Sequence, residues 1–452
     1  MEQFEATFLF VIIINNICDL RYRFWLSLYA QISNKMKKHI LNLFVLILFP
    51  TILLSQVAKE LNPPDFIKTI TFKSNTTQGQ LPVLKLGESL LLEFDALTGD
   101  EEDFYYVIEH FNFDWTPSGL VKSEYLRGLD NQRILSYENS FNTYQIYSHY
   151  NLAIPNSQTR ALLKSGNYMI SIYDDYDELM FSRKFMVYEN IANVGVKVKR
   201  SRDVKVIAEK QSVDMVITTN GLNLNNPLET VKTLVIQNNN LNTAISDLKP
   251  QYTLGNELIY RYDTESAFFG GNEYLFFENK DVRAANVGIQ HIDLEDIYHN
   301  YLYTNISRKN RPYTYNPDIN GNFLVTVIDR DNPDVEADYV MIHFSLLHEE
   351  LKDKNIHIYG NFNYFTIEPL TQMLYNSESK RYEATLLLKQ GFYNYKFVAV
   401  DKETGELDEG AISGNFWETE NNYKVLVYYK DLGARYDRLI GFGEASSVDI
   451  TN

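Results

Sequence analysis

The sequence predicts an all-β protein built of β-sandwich domains in tandem, and three observations carry that prediction. From Leu81 onward the chain breaks into short runs rich in Val, Ile, Tyr, Phe and Thr. These runs alternate apolar with polar residues, and Gly, Asn, Asp or Pro interrupts them about every ten residues. No long apolar segment with a helical period competes with this pattern. At 452 residues, 45% of them hydrophobic and 14% aromatic, the chain can fill two or three ordinary cores.

The amino terminus stands apart from those domains. Met36-Lys37-Lys38-His39 is a basic lead, Ile40 to Leu54 (ILNLFVLILFPTILL) is an apolar core of signal-peptide length, and Ser55-Gln56 supplies a small residue for cleavage. Residues 36–55 therefore read as a signal peptide, with the mature start near Gln56. As a membrane span the run is short of the roughly 20 residues required, and Pro50 interrupts it. Residues 1–35 hold a poorer apolar run, FLFVIIINNIC, and read as an over-extended start ahead of Met36.

Three β domains are expected after Gln56. In residues 56–190 the strand candidates are LKLGESLLLEFDAL, EDFYYVIEHFNFDW, GNYMISIYDD and MFSRKFMVYEN, which compose an N-terminal β-sandwich. After Tyr188-Glu189-Asn190 the composition changes, and NVGVKVKRSRDVKV opens a middle β domain, residues 191–335, with one helical turn expected near Asp293 to Tyr301. Its basic cluster, Lys197, Lys199, Arg200 and Arg202, reads as a solvated strand face or a charge-guarded edge. Asp329 to Asp338, DRDNPDVEAD, has the charge and proline of a linker. Beyond it, residues 336–452 contain ADYVMIHFSLL, NIHIYGNFN, YEATLLLKQGFYNYKFVAV and YKVLVYYK, the strands of a C-terminal immunoglobulin-like domain. There is no obvious internal repeat.

Charge and cysteine usage narrow the function. Residues 1–55 hold five of the Lys/Arg and three of the Asp/Glu, so the remainder has 37 basic against 56 acidic residues, a formal charge of −19. Such a surface repels phosphate backbones and anionic lipid heads, which argues against nucleic acid and membrane-surface binding; no direct membrane insertion is expected. The single cysteine, Cys18, lies in the leading segment. The mature chain thus has no disulfide, no thiol nucleophile and no thiolate metal site. No lipobox cysteine follows Leu54, so the expected location is the periplasm.

Candidate chemistry is sparse. His291-Ile-Asp293-Leu-Glu295-Asp296-Ile-Tyr-His299 gathers two histidines and three carboxylates, yet the histidines are eight apart and fit no standard zinc spacing. It reads as a polar surface segment. YDDYDE (173–178) and DRDNPD (329–334) resemble calcium loops in acidity but lack the glycine and distal glutamate of an EF-hand, and read as Asp-rich turns. No GxSxG and no recognisable nucleophile turn occurs. The expectation is a protein that is not an enzyme and carries no catalytic, metal or cofactor site.

One stretch suggests glycan. GNFN at Gly360 to Asn363, followed by KQGFYNYKFV at Lys389 to Val398, resembles the turn and strand that frame the sugar-stacking sheet of starch- and glycogen-binding modules. Gly391 is expected to permit a tight hairpin, and Phe392, Tyr393, Tyr395 and Phe397 distribute rings to both faces of one strand. The modules place a tryptophan soon after the turn, whereas here Tyr364-Phe365-Thr366 follows. The resemblance supports the sandwich fold of the last domain more than it supports sugar binding.

The whole mature chain is similar to a family of exported proteins, once a domain of unknown function and assigned as the plug component of the type IX secretion system. The resemblance rests on HFNFDWTPSGLVKSEYLRGL (110–129), SFNTYQIYSHYNLAIPN (140–156), SGNYMISIYDD (165–175), YNSESKRYEATLLLKQGFYNYKFV (375–398), ISGNFWETENNYKVLVYYKDLGARYDRLIGF (412–442) and the closing SSVDITN. It implies a soluble periplasmic protein that caps the inner mouth of a very large outer-membrane β-barrel translocon, since a barrel wide enough for folded cargo leaks if left open. The partner would be that translocon, met through a few aromatic anchors in a polar rim. Trp115, in FDWTPSG, and Phe416 with Trp417, in GNFWETENN, are the loop-placed candidates; otherwise each ring caps its own sandwich core. An exported glycan-binding adaptor using the C-terminal sandwich is the second reading.

Overall fold

The computed structural model describes residues 57–74, 80–219, 221–284 and 286–450. The expected signal peptide and start lie outside the described residues. Val57 onward belongs to one compact unit, in which β-strands are nearly all of the regular secondary structure.

The first body, through Tyr188, is the two-sheet sandwich that the alternation predicts. One sheet orders Ile67–Ser74, Leu90–Ala96, Ser148–Ile154 and Ser136–Asn139, all antiparallel; the other orders Val83–Lys85, Leu179–Tyr188, Gly166–Tyr173, Tyr105–Phe111 and Gln132–Arg133. Period two sends Phe72, Phe94, Tyr106, Ile108, Tyr150, Leu152 and Phe185 inward. Phe94 stacks on Tyr150 at 5.2 Å and meets Phe104 and Phe181 edge-on. Each such ring contributes roughly 1.5–3 kcal/mol by leaving water. Ile67 and Ile70 are three apart, which a regular strand would place on opposite faces. A bulge between Lys68 and Thr71, with Thr69 at φ 50°, turns both inward.

The second body is a nine-stranded sheet whose order interleaves distant parts of the chain. Its path is Asn240–Ser246, Val231–Gln237, Asn422–Tyr429, Arg438–Ser446, Ala192–Arg200, Lys210–Thr219, Glu257–Tyr260 and Tyr252–Leu254, with Ala267–Phe269 also on Lys210–Thr219. The last two long strands of the chain therefore fill the centre of a sheet begun some 200 residues earlier. Asn422–Tyr429 pairs antiparallel with Val231–Gln237, and Arg438–Ser446 pairs parallel with Ala192–Arg200. Two glycines permit the latter approach: a Cβ at Gly443 would stand 2.4 Å from the Val194 oxygen, and one at Gly441 2.9 Å from Ala192.

The third body is an eleven-stranded sheet that curls around Phe277, Phe344, Ile356, Ile358, Tyr393, Tyr395 and Phe397. Its path runs Leu275–Glu278, Gly391–Asp401, Lys354–Tyr359, Gln372–Asn376, Arg381–Lys389, Tyr339–Leu347, Tyr298–Leu302 and Ile289–Leu294. Strands from both sides of residues 335 and 336 thus share this sheet, and the chain leaves it after Asp408 to rejoin the second body.

Several local expectations are corrected here. Asp293 to Tyr301 contains no helical turn, because Ile289–Leu294 and Tyr298–Leu302 form an antiparallel hairpin. Gly391 does not close a hairpin either, since Arg381–Lys389 and Gly391–Asp401 are not neighbours. Its Cβ would lie 2.2 Å from the Leu324 oxygen, so the glycine admits the strand Phe323–Val325 alongside. The linker DRDNPDVEAD is packed rather than free, with Val335, Ala337 and Asp338 buried. Lys199 is no solvated edge residue: its strand is central, and its ammonium binds Asp214 at 2.9 Å and Asp263 at 2.8 Å.

Candidate functional site

The most chemically elaborate place in the molecule is the seam between the first and third bodies. On Leu90–Ala96, Phe94 and Ala96 face the sandwich core, so period two turns Asp95 to the opposite face, where the third body covers it completely. His149 is its cross-strand partner; in the third body, Lys389 and Tyr339 are likewise cross-strand partners. The two pairs meet. Asp95 Oδ2 accepts from Lys389 Nζ at 2.6 Å and from Tyr339 OH at 2.6 Å, and Oδ1 lies 2.7 Å from His149 Nδ1. The bulge that turns Ile70 inward also delivers Thr69 Oγ1 to within 2.6 Å of Tyr339 OH.

Lys389 is held on every side. Its ammonium donates to the Asp334 carbonyl at 2.7 Å and lies 4.1 Å from the Tyr147 ring centroid, while Tyr147 OH donates to the Ala337 carbonyl at 2.9 Å. Burial, the largest single influence on Asp95, pushes its pKa up; Lys389 and His149 together outweigh it, and the carboxyl is held below its usual value. Asp95 is therefore an ionised anchor whose ligands come from two bodies.

The first body meets the second through an apolar seam instead. Leu81, Val83 and Met186 pack with Ile236, Leu426, Tyr428 and Leu439. At its margins Arg438 bridges Glu189 (Nη2 to Oε2 2.7 Å), Arg435 bridges Glu124 (Nη2 to Oε2 2.5 Å), and Tyr428 OH donates to Asn167 at 2.6 Å. The second and third bodies are tied by Asn240, which donates to Tyr359 OH at 3.0 Å, and by Asn242, which donates to the Phe365 carbonyl at 2.9 Å.

The three aromatic anchor candidates occupy two separate seams. Trp115, at φ 61°, is half-buried against the apolar seam, with Lys184 Nζ 4.2 Å from its ring centroid. Its carbonyl accepts from the Ala58 amide at 2.9 Å. Trp417 lies under the Arg200 guanidinium at 4.5 Å, and its carbonyl accepts from Gln211 Nε2 at 2.6 Å. Phe416 neighbours Tyr313 at 5.8 Å, and its amide donates to the Gly271 carbonyl at 2.8 Å. Each ring is partly buried against its own chain.

The segment 129–146 shows what sequence reasoning passed over. Leu135 and Phe141 are 75% and 68% exposed, and Leu129, Tyr144 and Ile146 are also more than half exposed. Their backbone is nevertheless pinned: the Phe141 amide donates to the Val335 carbonyl at 2.8 Å, and the Tyr144 amide to Asp338 at 2.7 Å. SFNTYQIYSHY entered only through the family resemblance, and composition alone does not tell an exposed ring from a buried one.

The histidine stretch does not assemble a centre. His291 Nε2 pairs with Asp293 at 2.8 Å, whereas His299 Nδ1 lies 2.9 Å from His343 Nε2 and only 3.8 Å separates its other nitrogen from Glu295. In YDDYDE, Asp174 Oδ1 accepts from the amides of Tyr176 and Glu178, as an Asp-rich turn should. In KQGFYNYKFV, Tyr393, Tyr395 and Phe397 are core residues and Phe392 is half-buried beside Phe276, so this strand presents no flat, open ring to a sugar.

Comparison with known proteins agrees with this architecture. The model of the type 9 secretion system plug protein 1st domain matches residues 67–189, which is the first sandwich. No curated protein matches the chain. A hypothetical protein from Parabacteroides merdae ATCC 43184, known from a 2.30 Å crystal structure, is 32% identical with TM-score 0.82, over 86% of this chain and 98% of its own. A marsupial T cell receptor aligns at 10% identity with TM-score 0.15, over 84% of this chain and 99% of that one, a superposition that carries no fold relationship. With the matched sandwich extended through two further bodies in a relative of nearly the same length, the chain belongs to the plug protein family of the type IX secretion system.

Proposed function

We propose that the protein is a non-catalytic periplasmic plug that occludes the periplasmic mouth of the large outer-membrane β-barrel translocon of the type IX secretion system. The observation that carries this reading is the fusion of the three bodies. Chain-terminal strands complete the second sheet, and Asp95 binds Lys389 across the first seam, so the described residues form one solid block. A stopper must resist deformation, and a block tied by shared strands and a buried ion pair does so better than beads on linkers.

The plug engages by steric fit and a non-obligate interface, and cargo arriving from the other side releases it. Among the described residues no helix is long and apolar enough to cross a membrane, which suits a protein that docks on a barrel rather than entering the bilayer. Phe141, Tyr144 and Ile146 supply exposed apolar contacts. Trp115, Phe416 and Trp417, each with part of its ring open, serve as further anchors at the rim.

The test is a tagged copy expressed in the native organism, isolated in mild detergent and analysed by mass spectrometry. Co-isolation of a giant outer-membrane barrel, increased when cargo is depleted, is the expected result. Recovery of the protein alone, with a photo-crosslinker at Phe141 also capturing no barrel, overturns the reading.

A further inference from the structure

Beside the Asp95 anchor lies a second group of side chains that the ion pair does not use. Glu93 and Asp95 are two apart on one strand and so share its outer face, with His149 opposite Asp95 on the next strand. The turn at Pro333–Glu336 brings Asp334 from the far side of the seam, fixed by Asn332 Oδ1 on its amide at 3.2 Å and by Lys389 on its carbonyl at 2.7 Å. One donor atom from each of Glu93, His149 and Asp334 lies within 4.8 Å of the other two.

Two features distinguish this group from an ordinary polar cluster. His149 gives its Nδ1 to the Asp95 carboxylate at 2.7 Å, which fixes the ring and enriches the other nitrogen, the arrangement by which metal-bound imidazoles are oriented. That other nitrogen, Nε2, is buried and has no hydrogen-bond partner among the described residues. Glu93 meets Thr71 at 2.8 Å and Lys73 at 2.9 Å, both through Oε2, which leaves Oε1 to a further ligand. Lys73 is half exposed and free to swing into water.

We propose that Glu93, His149 and Asp334 form a site for a divalent transition ion of the zinc class. One imidazole nitrogen and two carboxylate oxygens suit such an ion, with water at a fourth position. Nitrogen and oxygen donors around a tetrahedral zinc stand about 3.4 Å apart, so a spacing within 4.8 Å closes by at most about 1.4 Å of side-chain movement. Three carboxylates, Glu93, Asp95 and Asp334, here face the two ammonium groups of Lys73 and Lys389, which leaves one negative charge in excess and favours a cation. The ion would join the first sandwich to the turn that enters the third body.

Titrating zinc chloride into chelator-treated protein by calorimetry, with thermal scans alongside, tests the assignment. One ion per chain and a melting temperature that rises with zinc concentration are expected. Asp334→Asn, which leaves the Asp95 pairs with His149 and Lys389 in place, weakens binding about tenfold or more, as does His149→Gln. His291→Gln, in the separate hairpin, changes nothing. Absence of both heat and thermal shift with zinc, cobalt and manganese alike overturns the proposal. Undiminished affinity in Asp334→Asn also overturns it, and this variant decides the matter even if Glu93→Gln or His149→Gln fails to fold.

Discussion

Asp95 and Lys389 form an ion pair of 2.6 Å in which neither side chain reaches solvent, though one belongs to the first sandwich and the other to the third body. Such a pair is costly to bury and more costly to break, because removing one partner strands the other charge. Lys389→Met should therefore lose about 3–5 kcal/mol in urea unfolding. The double variant Asp95→Asn with Lys389→Met should lose less than either single change. If the double variant's loss equals the sum of the two single losses, the pair is not coupled and the seam is held by packing alone.

The same anchor sets an acid limit. Asp95 has a folded pKa below its ordinary value, so its contribution is present above the unfolded carboxyl range and is lost as pH falls through the folded pKa. Wild-type protein should lose stability steeply below about pH 4, whereas the double variant should show a shallower acid limb. Parallel acid limbs for the two proteins would remove Asp95 from the account.

Asp318 carries the opposite sign. Burial raises its pKa to about 7 despite backbone amides from Asn320 at 2.6 Å and Tyr274 at 2.5 Å. A carboxyl raised in the folded state favours folding when protonated, and the penalty for ionising it grows from its unfolded pKa up to about pH 7. The two amides bond to different carboxyl oxygens, so Asn keeps an acceptor for only one of them; Asp318→Asn should cost about 1–3 kcal/mol near pH 4, and the loss should shrink by pH 8, where the wild-type carboxylate bears its burial penalty. A loss that grows between pH 4 and pH 8 would show that the ionised form is needed.

Much of the fold was legible because a strand with one buried face writes its period into the sequence. The runs around Phe94, Tyr106, Ile170 and Phe185 gave the first sandwich, and the family model covers that same region. Non-local pairing left no such trace: nothing in YKVLVYYK says that its neighbour is Val231–Gln237, since the alternation is equally satisfied in any sheet. Asp329 to Asp338 read as a linker because charge and proline usually mean exposure. Here the charges meet partners from another body, a fact composition does not contain. The same limit hid the Asp95 junction, whose four polar residues are scattered from position 95 to 389 and become a site only when two sheets meet.

Lys424 is buried, and its ammonium finds no hydrogen-bond partner among the described residues; burial pulls its pKa down to about 8, with Glu444 opposing. For a base lowered in the folded state, stability is reduced below pH 8 and recovers as pH rises toward the unfolded value. Lys424→Met keeps the length of the stem and removes the charge, so it should stabilise by about 1–3 kcal/mol at pH 7 in denaturant unfolding. A destabilised variant would mean that the ammonium holds a partner, such as ordered water, worth more than its burial costs.

Phe141 and Trp417 separate a surface role from a core role. Phe141 is 68% exposed on a backbone pinned to the third body, so Phe141→Ser with Ile146→Ser should change stability by no more than about 0.5 kcal/mol. If this segment meets the translocon, the double variant stays folded and loses the barrel from the mild-detergent isolate. Trp417 instead stacks beneath Arg200, so Trp417→Ala should cost about 3 kcal/mol, toward the lower end for a partly buried aromatic. Melting curves and barrel recovery measured on both variants distinguish the cases. A folded Trp417→Ala that loses the barrel would make Trp417 the anchor, and a Phe141 variant that keeps the barrel would remove the 129–146 segment from the interface.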